Sequence, residues 1–283
     1  MITRNPMQLK AFIKNMAAEK HISAQLVMQN YMIERLLERI SISDYRRNFI
    51  VKGGFLISAI VGLDTRATMD LDTTVKGFTL THESIRKIFS EICGIQADDD
   101  ITFELGSISD IREGDDYPGI RVALKAVYPP IRVPLTVDVT TGDVITPGEI
   151  EYSFPMLFDD RRLNIYAYNL ETVMAEKLET VLSRGIANTR PRDFYDIHIL
   201  YSLRGDTCDI SVLHEALTRT AVKRGSIEIM DRYESIIDKI QGSGQMRNFW
   251  EKYQRNFDYA KDITFDDACD TVRKIMVQVS GRT

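Results

Sequence analysis

The stretch Phe49-Ile50-Val51-Lys52-Gly53-Gly54-Phe55-Leu56-Ile57 decides how the first half of the chain is expected to fold. Its first residues form a short apolar run that predicts a strand, and the residues from Phe55 to Ile60 predict a buried helix. Gly53 and Gly54 then form a strand-to-helix corner, where the missing Cβ atoms let a ligand approach the N–H groups of the helix. Such a corner suits phosphate oxygens; the alternative is a tight turn that binds nothing.

Two aspartates follow the corner in a strand predicted from Met69 to Lys76. A period of two residues places Asp70 and Asp72 on one face of this strand and Leu71 on the other. A hard divalent ion such as Mg²⁺ relieves the repulsion between two carboxylates and also binds substrate phosphates. The alternative is a pair of acids on a solvated face. In combination with the glycine corner, the pair predicts a site for Mg²⁺ and a nucleoside triphosphate (NTP).

A third carboxylate is predicted on the strand from Arg132 to Thr140. The residues Val133, Leu135, Val137 and Val139 alternate along one face of this strand, which leaves Asp138 on the opposite face. Asp138 is therefore a candidate third metal ligand beside Asp70 and Asp72. The alternative is an ordinary exposed aspartate, because alternation identifies the face but not the neighbours.

A lysine lies within the apolar stripe of a helix predicted from Asn169 to Ser183. At 100° per residue, Lys177 falls among the leucine, valine and methionine side chains that should face the core. A lysine in this position requires a paired carboxylate or a ligand, because a buried unpaired charge is costly. The alternative is a lysine whose side chain extends along the helix to solvent.

The following helix is predicted to begin at Pro191, a residue well suited to the first helical position. Asp193 lies near its N-terminus, where a carboxylate also stabilises free N–H groups and the helix dipole. Asp196 lies one turn further on, where the dipole explains less. We expect either aspartate to pair with Lys177 or Arg192 and so to hold a cation toward the triphosphate.

Four blocks of this sequence resemble the AbiEii/AbiGii family of nucleotidyltransferase toxins from bacterial abortive-infection and toxin–antitoxin systems. They are Lys52-Gly53-Gly54, Arg66-x-Thr68-x-Asp70-x-Asp72, Ala175-Glu176-Lys177 and Arg192-Asp193-Phe194-Tyr195-Asp196. The resemblance runs from about Tyr31 to Leu203. It implies nucleotide and Mg²⁺ binding, and toxicity that a separately encoded antitoxin restrains; whether the two proteins touch is left open.

The resemblance also implies an α+β fold, with a polymerase-β-like nucleotidyltransferase mixed sheet, flanking helices and a helical C-terminal domain. Two N-terminal helices are predicted in residues 1–48, the nucleotidyltransferase core in 49–160, and in 161–283 a helical domain that contributes to the active site. Predicted core elements include a helix from His82 to Ile92 and strands at Ile101–Leu105 and Ile120–Tyr128. The run Asp98-Asp99-Asp100 is interpreted as a solvated loop.

Two positions depart from the wider family pattern. Relatives often have Gly-Ser at the glycine corner, so a hydroxyl that contacts phosphate here must come from elsewhere, and Ser58 or Thr68 is the candidate. Many relatives have Lys-Asp in the last block, whereas Arg192 precedes Asp193 in this chain. Arginine keeps the positive charge and adds bidentate contacts, but it does not transfer protons as a lysine can.

These residues predict transfer of a nucleotide from an NTP, with pyrophosphate as the leaving group. Lys52, Gly53, Gly54, Arg66, Thr68 and Arg192 are the candidate nucleotide-binding residues, and the candidate catalytic residues are Asp70, Asp72, Asp138, Lys177, Asp193 and Asp196. The resemblance suggests an RNA end, foremost the tRNA 3′ end, as acceptor. A metal-dependent glycosyltransferase and a non-catalytic nucleotide-binding module are the alternatives.

The composition limits the other classes. The 283 residues have a net charge of −5, which argues against strong nonspecific nucleic-acid binding, and no apolar run approaches a membrane span. Without a signal-peptide core after Met1, the cytoplasm is the expected compartment, with no membrane partner. The sequence has three isolated cysteines and four histidines without ligand spacing, which argues against structural zinc and a disulfide framework. The segment Met246–Phe257 alternates cations with aromatics, which predicts either an RNA contact or an amphipathic helix.

Overall fold

The computed structural model describes residues 5–111 and 119–281 of the chain. The residues next to Met1, from which the absence of a signal peptide is predicted, lie outside these ranges. The described residues form two compact units. One unit extends to Asp143 and also includes Glu149–Ala167, and the other comprises Val144–Gly148 and the residues from Tyr168 onward.

The first unit is built on a mixed sheet to which the described residues contribute seven strands. The strands are β1 Phe49–Lys52, β2 Leu71–Val75, β3 Thr102–Asp110, β4 Gly119–Tyr128, β5 Ile131–Thr141, β6 Ile150–Pro155 and β7 Arg162–Ala167. Their order across the sheet is β3-β4-β5-β2-β1-β7-β6. The pairs β2–β5 and β1–β7 are parallel and the other neighbours are antiparallel. The predicted α+β class with a mixed sheet is therefore confirmed.

The helices of this unit are α1 Pro6–Glu19, α2 Ala24–Ile42, α3 Gly53–Val61 and α4 His82–Gly94. The first two agree with the pair of N-terminal helices predicted from the sequence. Strand β5 also shows the predicted alternation, because its four apolar side chains from Val133 to Val139 are buried and Asp138 lies on the opposite face. Strands β6 and β7 are additional elements that the sequence analysis did not identify.

The acidic run before β3 differs from the solvated loop expected for it. The Asp99 side chain is 3% exposed and accepts two hydrogen bonds from the guanidinium of Arg39 on α2, at 2.6 Å to Oδ1 and 3.1 Å to Oδ2. Arg39 also donates to the carbonyl of Ile101 at 2.7 Å. The expectation of a solvated loop was wrong for Asp99, because the buried guanidinium of Arg39 requires a partner.

The second unit is helical in its described residues from Leu170 onward. Its helices are α5 Leu170–Arg184, α6 Pro191–Arg204, α7 Ile210–Lys223, α8 Ile229–Gln241, α9 Gly244–Asn256 and α10 Phe265–Ser280. Within the described ranges of both units, no helix is long and apolar enough to cross a lipid bilayer.

Helix α9 contains the segment that the sequence analysis considered for RNA binding. Its Trp250 is 2% exposed, donates its indole N–H to the carbonyl of Ile263 at 3.0 Å, and packs against Tyr253 and Phe265. Arg247 on the same helix forms an ion pair with Asp266 at 2.8 Å. The structure therefore favours the amphipathic helix, because the tryptophan lies in the core and is not available to stack on a base.

Candidate active site

The corner between β1 and α3 requires glycine at position 53. Gly53 has φ +65°, a backbone conformation that residues with a Cβ rarely adopt. A Cβ built on Gly53 would lie 2.2 Å from Oδ2 of Asp72, which is far inside any possible contact distance. The N–H of Gly54 donates to the same oxygen at 3.3 Å. The predicted glycine corner and the predicted metal ligand Asp72 are therefore in direct contact.

Four charged side chains form a line across the sheet, which we call the charged row: Arg121 on β4, Asp138 on β5, Asp72 on β2 and Lys52 on β1. Each is the register partner of the next. Directly opposed residues on neighbouring strands project from the same face of a sheet, with strands roughly 4.8 Å apart. Sequence alternation predicted that Asp72 and Asp138 each face away from an apolar side, and the register brings the two side by side.

Arg121 is the residue of the charged row that sequence reasoning missed. Its Nε donates to Oδ1 of Asp138 and its Nη2 to Oδ2, each at 2.8 Å, so that both carboxylate oxygens are engaged. The Arg121 side chain is 51% exposed, whereas that of Asp138 is 17% exposed. The hydrogen bonds and charge of Asp138, with smaller contributions from Asp70 and Asp72, raise the pKa of the Arg121 guanidinium. All three predicted metal ligands therefore act on this one cation.

Lys52, at the other end of the row, forms an ion pair with Asp143. The Asp143 carboxylate also accepts a hydrogen bond from Thr140 Oγ1 at 3.0 Å. Asp143 was not among the predicted site residues, although its place in the sequence just after β5 was a usable signal. Lys52 therefore lies at the corner as predicted, with an anionic partner.

The loop before β2 brings other predicted nucleotide-binding residues to Gly54. A Cβ built on Gly54 would lie 3.1 Å from Thr68 Oγ1 and 3.2 Å from Arg66 Nη2. Arg66 is buried and also donates to the carbonyl of Ala67. Asp70 lies just outside β2, which begins at Leu71 and not at Met69 as predicted, and Asp70 is exposed. The two aspartates are thus not equivalent, because only Asp72 is held in the sheet.

Two amides of α2 hold this loop in place. Asn30 Nδ2 donates to the carbonyl of Thr68 at 2.8 Å, and Gln29 Nε2 donates to that of Met69 at 3.2 Å. Gln29 also donates to the carbonyl of Pro134 on β5 at 2.8 Å. Both side chains are buried, so their hydrogen bonds couple the loop to the helix and to the strand that carries Asp138.

The residues of the charged row fit a divalent cation in their donor chemistry. In residues 5–111 and 119–281, no three His, Cys, Asp or Glu side chains are arranged as a ready metal site. Asp72 and Asp138 nevertheless present carboxylate oxygens side by side, and hard ions such as Mg²⁺ prefer these ligands. In the structure, the Arg121 guanidinium takes the place of such a cation and neutralises the charge of Asp138. The residues thus fit the metal, while the predicted three-carboxylate cluster is not preassembled.

The second unit contains a separate cluster of Lys177, Asp193 and Asp196. Lys177 Nζ on α5 lies 2.6 Å from Asp193 Oδ1 and 2.9 Å from Asp196 Oδ2, both on α6. Burial by itself lowers the pKa of Lys177, but the charges and hydrogen bonds of the two carboxylates outweigh it, so that the pKa is raised. The lysine is therefore charged and paired, as the sequence predicted, and does not extend to solvent.

The arginine beside this cluster is not the predicted one. Arg190 Nε lies 3.3 Å from Asp193 Oδ2, whereas Arg192 is exposed. Of the two cations predicted as alternative partners, Lys177 is the one that Asp193 and Asp196 contact. Helix α6 begins at Pro191 as predicted, and Asp193 lies in its first turn.

Comparisons with known proteins identify the family of the chain. The family model described as "Nucleotidyl transferase AbiEii toxin, Type IV TA system" matches residues 35–271. A search among curated protein sequences gave no match.

Two solved structures, both from Helicobacter pylori, are similar to the chain. A candidate nucleotidyltransferase is 11% identical, with a TM-score of 0.50, over 93% of this chain and 99% of its own. The protein JHP933 is 12% identical, with a TM-score of 0.48, over 92% of this chain and 95% of its own. The first similarity supports the fold. On the family match over most of its length, the chain belongs to the AbiEii family of nucleotidyltransferase toxins of type IV toxin–antitoxin systems.

Proposed function

We propose that this protein is a Mg²⁺-dependent enzyme that transfers a nucleoside monophosphate from an NTP to an RNA, and that the tRNA 3′ end is the acceptor. One observation carries the proposal: Asp72 contacts the glycine corner and is the register partner of Asp138. A phosphate-compatible helix N-terminus and two carboxylates therefore adjoin on one face of the sheet. Family membership favours nucleotidyl transfer over glycosyl transfer.

In this proposal the phosphates of the NTP bind the N–H groups of Gly53 and Gly54, with Arg66 and Thr68 beside them. The family implies a divalent metal, and Asp70, Asp72 and Asp138 would hold it. When bound, such an ion stabilises negative charge on the attacking and leaving oxygens. The acceptor hydroxyl attacks the α-phosphorus, the bond to the bridging oxygen breaks, and pyrophosphate leaves. Asp138 accepts the proton of the attacking hydroxyl.

The proposal also includes the residues of the second unit. In that unit, we propose that Asp193 and Asp196 orient Lys177 for an electrostatic role. The two short ion pairs of Lys177 support the orienting role. Its raised pKa keeps the lysine positively charged at neutral pH, as an electrostatic role requires.

The biological setting follows from the family. We propose that the reaction is toxic in the cytoplasm, that a cognate antitoxin encoded separately restrains it, and that the pair acts in defence against phage. The choice of tRNA as acceptor is based on the family resemblance, whereas the proposed reaction is based on the geometry of the site. The two are therefore tested in separate steps.

The test incubates the protein with each α-labelled NTP, Mg²⁺ and total cellular RNA. The proposal expects label in RNA with one or more of the nucleotides, and digestion of the labelled band then identifies the acceptor and the modified end. Label in no macromolecule, from folded protein that binds NTP, contradicts the enzymatic proposal. Hydrolysis of a sugar nucleotide would instead support the glycosyltransferase.

A substitution separates catalysis from simple nucleotide binding. Asp70→Ala is expected to abolish toxicity in cells, because it removes a metal ligand from an exposed position where the fold tolerates the change. Asp100→Ala is the matched control, since it also removes one exposed carboxylate of the first unit. A folded Asp70→Ala protein that remains fully toxic would favour the non-catalytic binding module.

A further inference from the structure

Arg121 forms an ion pair with Asp138, a carboxylate that the proposed metal ion is also expected to bind. Its two hydrogen bonds use both oxygens of Asp138, in the bidentate geometry that makes arginine–carboxylate pairs specific. A divalent ion can bind Asp138 only if this pair opens or the carboxylate is shared. Because the guanidinium and the ion are both cations, each weakens the binding of the other to this side chain.

The pair is built to open without disturbing the fold. Arg121 projects from β4, and its side chain is 51% exposed, so that its release places no charge in the core. Because the guanidinium is already half exposed, water can solvate it as soon as the pair opens. The backbone of β4 stays in the sheet through its register with β5 on either side of Arg121.

A released Arg121 is available to bind another anion. It lies at one end of the charged row, and Lys52 and the glycine corner lie at the other end, where the triphosphate is proposed to bind. An ion held by Asp138 would also bind substrate phosphates, and Asp138 is the register partner of Arg121, so a phosphate group on that ion would lie beside Arg121. A planar guanidinium binds phosphate oxygens in the same two-pronged manner in which it binds a carboxylate.

We propose that Arg121 competes with the divalent ion for Asp138 and binds a phosphate group of the substrate once the ion has taken that carboxylate. This inference rests on the proposed function, because it assumes the metal and nucleotide site described above. As a consequence, the site binds the metal ion weakly when nucleotide is absent, and it binds metal and nucleotide cooperatively. Either ligand opens the same ion pair, so the second ligand to bind no longer has to open it.

The test measures binding and not turnover. Free Mn²⁺ is followed by electron paramagnetic resonance during titration of the wild type, Arg121→Gln and Lys125→Gln without nucleotide. Lys125 is the control because it lies on the same face of β4, is similarly exposed, and pairs instead with Glu104. Arg121→Gln is expected to bind Mn²⁺ up to about fivefold more tightly, as loss of an exposed ion pair allows, and Lys125→Gln is expected to match the wild type.

In the second measurement, the same substitution is expected to weaken binding. At saturating Mn²⁺, binding of the four α,β-methylene NTP analogues is followed by calorimetry, and Arg121→Gln is expected to bind the preferred analogue at least about tenfold more weakly. Arg121→Lys keeps the charge and should give intermediate values. An unchanged affinity of Arg121→Gln for either Mn²⁺ or the analogue overturns the inference. If no variant, nor the wild type, binds Mn²⁺ or an analogue, the proposed function itself fails.

Discussion

A methyl group at position 53 should damage both the corner and the aspartate beneath it. In Gly53→Ala, the new Cβ would meet the Asp72 carboxylate at 2.2 Å, where ordinary contacts begin near 3.4 Å. Asp72 must therefore move by more than 1 Å, and its hydrogen bond from the Gly54 N–H is lost. The alanine must also hold a φ near +65°.

These effects give the size of the change. A left-handed conformation costs a residue with a Cβ about 1–2 kcal/mol. Loss of a hydrogen bond to a charged group costs about 1.5 kcal/mol or more. We therefore expect Gly53→Ala to lower the free energy of unfolding by about 3 kcal/mol. In an Asp72→Ala background only the backbone term remains, so the same substitution should then cost about 1–2 kcal/mol.

Gly54→Ala is the matched control. Its Cβ would meet two side-chain atoms at 3.1 and 3.2 Å, which small shifts relieve, and its φ is not in the left-handed region. Alanine in a helix gains about 1 kcal/mol over glycine, so the net change should stay within about 1 kcal/mol of zero.

The assay combines urea unfolding, followed by circular dichroism, with hydrogen exchange of peptides that cover β1, α3 and β2. Exchange assigns the loss to the corner, because the chain contains two compact units and one global transition is not assumed. Equal stability of Gly53→Ala and the wild type would contradict this prediction. An equal cost with and without Asp72 would show that the contact with the carboxylate is not the cause.

Three further predictions concern charged and thiol groups. Lys177→Met leaves two buried carboxylates without their shared cation and should destabilise the protein by about 3–5 kcal/mol in urea unfolding. Because the pKa of Lys177 is raised in the folded protein, the stabilising contribution of this lysine should be full below pH ~10 and should decline only above it. Arg39→Met should cost a similar ~3–5 kcal/mol, because it leaves Asp99 without its cation. Arg219→Ala, which breaks an exposed pair with Glu215, should cost less than ~1 kcal/mol by the same assay. Burial raises the thiol pKa to about 11 for Cys93 and to about 12 for Cys208 and Cys269, so a thiol reagent at pH 8 should react much more slowly with native than with unfolded protein, and rapid labelling of the native protein would contradict this.

The parts of the site that local patterns encode could be predicted. The corner at Gly53 is visible because an apolar run, two glycines and a second apolar run follow one another within a few residues. The face of Asp138 is visible because side chains alternate along a strand. The burial of Lys177 is visible because helical periodicity places it among apolar residues.

The parts that depend on pairing between distant segments could not be predicted. Arg121 lies in a strand that the sequence predicts, yet only the register of β4 on β5 shows that it meets Asp138. The sequence does not distinguish Asp99 from its neighbours Asp98 and Asp100, and only the packing of α2 shows that Arg39 contacts it. Register and helix packing are set by the whole core, and no short window of sequence contains them.

The most direct test of the central claim, that the face shared by Asp72 and Asp138 is the catalytic site, is a single comparison of label transfer. Wild type, Asp138→Asn and the control Asp100→Asn are incubated with Mg²⁺, total RNA and the preferred α-labelled NTP. The wild type and the control are expected to transfer label, and Asp138→Asn is expected to lose at least about a hundredfold, as when a general base is removed. Wild-type transfer by folded Asp138→Asn would contradict that claim.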